Sequence, residues 1–452
     1  MAEQVDVVVI GLGVGGEEAS GRLAQAGLTV VGIEPRLVGG ECPYFGCIPS
    51  KMMIRAGNLI AETRRVDGMA GTATIAPDWA PVAKRIRDEA TDNWNDKVAV
   101  DRLVGKGVTF VRGHGKITGP GRVVSGDREF EASRGIIVAT GTVPVVPPIE
   151  GLAGTPFWTS QDAIQVETLP ASLLVLGGGA IGLELTQVFA RFGVQVTVVE
   201  GSDRVLAAEE PESSDLAQAA LERDGVTFRI GAHAKSVSHD GDGFTLTLAD
   251  GNTVSGEKLL VATGRRVDIK DLGLDQVGLD PAARRIEVDE HVRAGDGVWA
   301  IGDVTGVGVF THNAMYQANI AVLDLLGAAD APVASYHAMP RVTFTDPEIG
   351  AVGLTEKQAR EQGLDVRTGI TQVPSSTRGW IHKAGNEGFI KLIMDNERGV
   401  LVGATSSGPT GGEVLGALAL AVHAAVPVHS LQQMIYAYPT IHRAIGDAVK
   451  EL

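Results

Sequence analysis

One pattern occurs twice in the chain and leaves few folds open. An apolar, β-branched run over residues 5–10 meets Gly11-Leu12-Gly13-Val14-Gly15-Gly16, a helical pattern follows, and a second apolar run, Val30-Val31-Gly32-Ile33, ends on Glu34. The same order returns with Ser172-Leu173-Leu174-Val175-Leu176, the turn Gly177-Gly178-Gly179-Ala180-Ile181-Gly182, a helical pattern, and Val196-Thr197-Val198-Val199 ending on Glu200. Continuous apolar runs of this length suit strands buried on both faces of a parallel sheet. Gly11, Gly13 and Gly16, and equally Gly177, Gly179 and Gly182, supply a tight turn, close approach of backbone to a pyrophosphate, and close helix-to-strand packing; the terminal glutamate is placed to take ribose hydroxyls. A bare glycine triplet is weak evidence and also occurs as a purely structural turn, but each copy here has its strand, helix and acid at the expected spacing. A later stretch, Leu259-Leu260-Val261-Ala262-Thr263-Gly264, repeats Ile136-Ile137-Val138-Ala139-Thr140-Gly141. The second unit therefore reads as a remote internal copy of the first, and two dinucleotides are expected on an α/β fold.

Between the copies lie the only two cysteines, in Cys42-Pro43-Tyr44-Phe45-Gly46-Cys47, with Lys51 just beyond. Positions five apart fall on different faces of a continuous helix, so Cys42 is expected to precede a helix that Cys47 opens, with Pro49 in its first turn. A helix N-terminus favours a thiolate, which suits a redox pair. Two inert thiols remain the ordinary alternative. A zinc site is weaker, since no other Cys or His lies in the stretch.

This loop resembles that of the class I pyridine nucleotide-disulfide oxidoreductases, and the resemblance extends over nearly the whole chain. It implies a Cys42–Cys47 disulfide lying against a flavin, with Cys47 nearest the flavin and Cys42 facing substrate, and FAD and NAD(H), or NADP(H), as the two dinucleotides. It implies that Lys51 pairs with Glu184, two residues past Gly182, and stabilises charge on the reduced ring. FAD contacts are implied at Gly11, Gly13, Gly16, Glu34, Lys51, Gly115, Thr140, Gly141, Gly302, Asp303 and Thr311. Nicotinamide-nucleotide contacts are implied at Gly177, Gly179, Gly182, Glu200, Ala234 and Gly264. Glu200 favours NADH, because a carboxylate repels a 2′-phosphate, although Arg204 close by in sequence softens the repulsion. The implied architecture is two Rossmann-like dinucleotide-binding domains, the FAD domain over 1–150 and 275–334 and the NAD(P) domain over 151–274, plus an α+β dimerisation domain over 335–452. There, 342–350 and 388–393 are expected as strands, and 412–425 as a helix of the interface or of the core. Homodimerisation would let each subunit complete the other's site. The polar, helical stretch 58–102, with Trp79 and Trp94, is expected to cover the first domain.

Composition narrows the partners. A net charge of −16 argues against nucleic acid, which leans on clustered Lys and Arg. The 59 glycines cluster at strand-to-helix turns and form no low-complexity tract. No apolar run approaches the roughly 18 residues of a membrane span. The N-terminus runs straight into a strand with no basic region, and two cysteines suit a reducing cytoplasm. No metal site is expected.

The C-terminal segment breaks the pattern. Dithiol-specific members carry His-Pro-Thr-x-x-Glu, the histidine acting as acid-base partner of the outer cysteine; this chain has Tyr438-Pro439-Thr440-Ile441-His442-Arg443. A phenol, with a reference pKa of about 10, is a poor base at neutral pH. His442 is the nearest substitute, expected one helical turn from Tyr438. The C-terminal cysteine pair of mercuric reductases is absent. The expected activity is transfer of electrons from NADH through FAD and the disulfide to a small-molecule acceptor such as a quinone, a disulfide or a metal ion. Lipoamide dehydrogenase chemistry and a non-catalytic redox-sensing role are the alternatives.

Overall fold

The computed structural model describes residues 1–452. The chain forms two compact units. The first comprises Met1–Pro49, Lys84–Val145 and Arg265–Ser335; the second comprises Ser50–Ala83, Val146–Gly264 and Tyr336–Leu452.

The first unit is built on a sheet whose central strand, Glu3–Ile10, pairs in parallel with Val30–Glu34 on one side and Arg128–Val138 on the other. Val298–Ala300 adds in parallel beside Arg128–Val138, which returns the chain to this sheet after a long excursion. Val7, Val8 and Val9 are all fully buried, because helices cover one face and the antiparallel strands Lys116–Gly119 and Arg122–Ser125 accompany the other core. The helices Val14–Gln25 and Thr311–Leu325 pack together over the first face, with Gly15 within 3.3 Å of the Ala314 methyl if it carried a Cβ. The short ribbon of Val143–Pro144 against Arg265–Arg266 stands where the chain leaves the unit after Val145 and re-enters it at Arg265.

The second unit holds a four-stranded parallel sheet around Ser172–Leu176, a three-stranded antiparallel sheet, and a five-stranded antiparallel sheet from the C-terminal segment. Each sequence segment expected as a domain thus has its own sheet, but compactness groups the last two and adds residues 50–83. The reason is packing: Trp79 lies edge-on to Phe192, 5.1 Å between centroids, and its indole nitrogen donates to the Val166 carbonyl at 2.8 Å. The stretch 58–102 is accordingly divided. Trp79 belongs to the second unit, whereas Trp94 stacks on Phe45 in the first. Nor is the stretch continuously helical: the helix Cys47–Arg64 ends well before Ala80–Arg85 begins.

The strand expected over 342–350 is two strands, Pro340–Thr343 and Glu348–Gly353, separated by a turn with a cis Asp346–Pro347 bond. Proline has no amide hydrogen for the ladder, and the amides of Phe344 and Asp346 are taken by side chains of the helix Ala180–Arg191. The helix Gly411–His423 buries Val414, Leu415, Leu418 and Val422 against the five-stranded sheet, so that face is core. Its Leu420, together with Trp380 and Ile435, points outward, and Ile435 is 96% exposed. No helix is long and apolar enough to cross a membrane.

Candidate active site

The first glycine loop follows directly from strand Glu3–Ile10. Gly11 has φ +92°, and a Cβ there would stand 2.5 Å from the Ala139 carbonyl oxygen. A Cβ on Gly16 would run into the carbonyl oxygen of Gly11, which is why the helix can start so close to the strand. Gly13 faces open space, so a phosphate group can approach its backbone. Glu34 closes the loop: Oε2 accepts from the Leu12 amide at 2.9 Å and Oε1 from the Arg36 amide at 2.8 Å. Gly115 is pressed against the Ile10 side chain, where a Cβ would be 3.0 Å away.

On the neighbouring strand end, Thr140 leaves its hydroxyl oxygen buried without a hydrogen-bond partner, and Gly141 takes φ +68°. An orphaned buried hydroxyl costs on the order of 1–3 kcal/mol, which a bound group can recover. Asp303 lies in the turn Gly302–Thr305, whose first residue has φ +79° and donates its amide to Gln317 Oε1 at 2.6 Å. Burial pushes the Asp303 carboxyl above its usual range, against the hydrogen bond from Thr142 at 2.9 Å and the nearby Arg265. Arg265 donates to the Thr142 hydroxyl and carbonyl, both at 2.8 Å, and pairs with Glu41 at 3.0 Å.

The cysteines occupy two helical segments. Cys42 precedes the helix Cys47–Arg64 that Cys47 opens, as expected, but lies in a helical turn of its own, Glu41–Phe45, from which Gly46, at φ −127° and ψ −114°, separates the longer helix. No disulfide joins them; Cys42 is half-buried and Cys47 exposed. The hydrogen bond to Cys47, with burial second, drives the Cys42 thiol far above its ordinary pKa, so Cys42 keeps its proton. Cys47 Sγ lies 3.2 Å from the hydroxyl of Thr311, the first residue of Thr311–Leu325.

Lys51 comes one turn after Cys47 on the same helix. Its Nζ is 2.7 Å from Glu184 Oε2 and 4.5 Å from the centroid of the Phe344 ring. The other oxygen of the buried Glu184 accepts from the Phe344 amide at 2.8 Å. Along the helix Ala180–Arg191, residues three and seven positions after Glu184 continue the grip on the same turn. Gln187 Oε1 accepts from the Asp346 amide at 2.7 Å, and Arg191 reaches the Asp346 carboxylate at 2.7 Å. Arg65 reaches the same oxygen at 2.7 Å. Burial alone would raise the Asp346 carboxyl, but the two guanidiniums hold it below its usual range.

The second glycine loop has the same construction as the first. Gly177 has φ +109°, with a would-be Cβ 2.5 Å from the Ala262 carbonyl oxygen; Gly182 abuts Gly177; Gly179 is open. Glu200 Oε2 accepts from the Gly178 amide at 2.5 Å and Oε1 from the Ser202 amide at 2.6 Å. Gly264, at φ +118°, is also open. Ala234 begins the strand Ala234–His239, just after Ala232, whose amide donates to the Glu200 carbonyl at 2.9 Å. Arg204 is engaged elsewhere: it donates to Ser214 Oγ at 2.6 Å and to the carbonyls of Leu206 and Ala207.

In the C-terminal segment Tyr438 is 67% exposed; its hydroxyl reaches Thr377 Oγ1 at 3.4 Å, and the Arg443 guanidinium is 6.0 Å from its ring. Tyr438 and His442 do not share a helical face. The residue before a proline is turned away from helical backbone, the Tyr438–Pro439 bond is cis, and the next helix is Ala444–Val449. His442 instead packs at 44° to the Tyr436 ring.

Thr142, Arg265, Phe344 and Asp346 were not singled out in the sequence. The first two had a signal: each directly follows one of the repeated Ala-Thr-Gly triplets. Phe344 and Asp346 had none, since their partners lie more than a hundred residues away.

Residues 5–318 match the family described as pyridine nucleotide-disulphide oxidoreductase, and residues 339–449 match its dimerisation domain, which supports a homodimer. The chain is 35% identical to a dihydrolipoyl dehydrogenase of Halobacterium salinarum, over 98% of this chain and 95% of that protein. It is 34% identical to a dihydrolipoyl dehydrogenase of Thermus scotoductus, over 99% and 97%. Among solved structures, the Cu(II) complex of the HOCl-induced flavoprotein disulfide reductase RclA of Escherichia coli superposes with a TM-score of 0.86 at 25% identity, covering 100% of this chain and 99% of that one. LpdA of Mycobacterium tuberculosis gives 0.86 at 27%, covering 99% of each. Matched from end to end in this way, the chain belongs to the pyridine nucleotide-disulphide oxidoreductase family and is an FAD- and NAD(P)H-dependent oxidoreductase.

Proposed function

We propose that the chain passes electrons from NADH through FAD to a small acceptor such as a quinone, a disulfide or a metal ion, and that dihydrolipoamide is a poor substrate. The balanced reaction with a quinone is NADH + H⁺ + quinone → NAD⁺ + hydroquinone. The observation that carries this reading is Tyr438, with Arg443 five residues on, where dithiol-specific relatives have their histidine and glutamate.

The first glycine loop suits FAD: Gly13 leaves room for a pyrophosphate, Thr140 offers an unused hydroxyl, and Asp303 offers a half-buried carboxylate for a ribityl chain. In this reading Gly11, Gly16, Glu34, Gly115, Gly141, Gly302 and Thr311 complete that site. Bound there, FAD supplies two-electron exchange with the nicotinamide and with the sulfurs. Cys47 is the thiol nearest the flavin and Cys42 the outer one, held protonated when the pair is reduced. Lys51 brings a positive charge, fixed in direction by Glu184 and by the Phe344 face. Gly177, Gly179, Gly182, Glu200, Ala234 and Gly264 bind the nicotinamide nucleotide, and with Arg204 tied to its own loop, Glu200 decides for NADH. The functional domains are those drawn from the sequence, 1–150 with 275–334, 151–274 and 335–452, working as a homodimer in the cytoplasm.

A second reading, dihydrolipoamide oxidation, is favoured by the names of the relatives. That reaction needs a base at the outer cysteine, a contribution of roughly 10²–10⁴ in rate. The test compares dihydrolipoamide oxidation with NADH-driven quinone reduction in wild type, His442→Ala and Tyr438→His. We expect slow dihydrolipoamide turnover and rapid quinone turnover in wild type. Efficient dihydrolipoamide turnover that His442→Ala abolishes would overturn the proposal.

A further inference from the structure

The hollow between the short helix Thr377–His382 and the segment ending in Ala444–Val449 combines features that nothing in the hydride-to-disulfide route requires. It encloses about 70 Å³ and is lined by Thr377, Arg378, Tyr438, Thr440, Arg443 and Asp447. The chain as a whole carries −16. Here the balance is reversed. Arg378 is exposed and makes no ion pair or side-chain hydrogen bond. Arg443 has one carboxylate, Asp447, at 3.7 Å, and that carboxylate also serves Lys450 at 2.7 Å. Two cations thus share one anion, and Arg378 adds a third positive charge. The Tyr438 hydroxyl is committed only to a long 3.4 Å bond with Thr377, which a stronger acceptor can replace.

We propose that this hollow is an anion subsite and that the electron acceptor docks there through a carboxylate, sulfonate or phosphate group. The proposal rests on the functional reading above, in which electrons leave FAD for a small acceptor and Tyr438 stands where dithiol-specific relatives have their histidine. Guanidinium groups present paired donors that match the oxygens of such acids, and Tyr438 adds a hydroxyl donor beside them. Size sets what enters. At about 70 Å³ the hollow is far below the roughly 300–1,000 Å³ of a site that takes a whole drug-sized ligand, so it receives the acid head and leaves the organic body outside. Ile381, three residues from Arg378 on the same helix and 43% exposed, gives that body an apolar surface. The positive excess also argues against a metal cation entering at this point. The replacement of a glutamate by Arg443 then has a positive use: a carboxylate there would repel the acid group that the arginine attracts.

The test uses the oxidised holoenzyme. Calorimetric titration with naphthalene sulfonate, which carries an acid group but accepts no electrons, should show one site per chain. Binding should weaken about tenfold in Arg378→Gln and in Arg443→Gln, the order expected for one exposed charge-assisted contact, and should fall as ionic strength rises. Arg378→Lys should recover part of it, since the charge is kept and the fork is lost. In turnover, the ratio of kcat/KM for naphthoquinone sulfonate over that for naphthoquinone should drop about tenfold in each Gln variant. Unchanged binding in both variants, or inorganic sulfate binding as tightly as the aryl sulfonate, overturns the subsite. Quinone turnover with an unchanged ratio overturns it too and leaves the functional reading intact. Binding lost in the variants with no quinone turned over by wild type keeps the subsite and overturns the acceptor reading.

Discussion

The two glycine loops share one backbone and differ in their surroundings. Both begin with a glycine in the left-handed region against an Ala-Thr-Gly strand end, both close the third glycine onto the first, and both are tied by a glutamate to a loop amide. In the first unit, however, Gly15 is buried and Gly13 and Val14 are half-covered, with Thr311–Leu325 lying over the loop's helix. In the second unit Gly179, Ala180 and Ile181 are all exposed. The glutamates follow suit, Glu34 buried and Glu200 half-exposed. A fingerprint fixes the geometry of phosphate binding; what lies over it decides whether the nucleotide stays or exchanges. The enclosed loop suits a resident FAD, the open one a nicotinamide nucleotide that must leave each cycle.

That contrast can be broken most sharply by the same substitution in each loop. Gly11→Ala meets both the left-handed backbone and the Ala139 carbonyl, so the purified protein should lose its flavin and its yellow colour. Gly177→Ala should stay yellow, while its flavin is reduced by NADH at least about a hundredfold more slowly, the order expected when a bound nucleotide is displaced by about 1 Å. Flavin loss in Gly177→Ala with retention in Gly11→Ala would reverse the assignment. A finer test concerns Glu200. Rapid-reaction reduction should favour NADH over NADPH by about tenfold to a hundredfold, and Glu200→Ala should collapse that ratio. An unchanged ratio would move the discrimination elsewhere in the open loop.

The smallest effect is expected in acid. Asp346, with its folded pKa depressed, contributes stability that is present above the unfolded value and lost as pH falls through the folded one. Asp303, with its folded pKa raised, behaves oppositely: its proton is bound more readily in the folded state, so acid does not weaken the first unit through it. Because Asp346 anchors the C-terminal end of the helix that the second loop begins, acidification below the ordinary carboxylate range should raise the NADH concentration for half-reduction before flavin is released. Asp346→Asn should show that weakened state at neutral pH. Flavin release preceding the nucleotide effect would count against this order.

Local physics made much of this legible. Strand, turn, helix and acid lie within about thirty residues of one another in each loop, so the pattern carries its own context. Cys42, Cys47 and Lys51 are legible for the same reason. What the sequence concealed is set by distant partners. Phe344 meets Lys51 across nearly three hundred residues, and Trp79 pulls residues 50–83 toward Phe189 and Phe192. Backbone interruptions were concealed as well. Gly46 gives Cys42 a helical turn of its own, and Pro439 separates Tyr438 from His442, because a spacing of four signifies one face only when the helix between is intact.

The outward apolar side chains of the C-terminal segment carry a thermodynamic consequence. Ile435, Trp380 and Leu420 stand in water in the single chain, and a second copy that covered them would bind only the folded form. By mass action such association adds to apparent stability in proportion to the logarithm of protein concentration. With such an interface, dilution would act as a mild denaturant, and a melting temperature would have meaning only when quoted with the concentration at which it was measured.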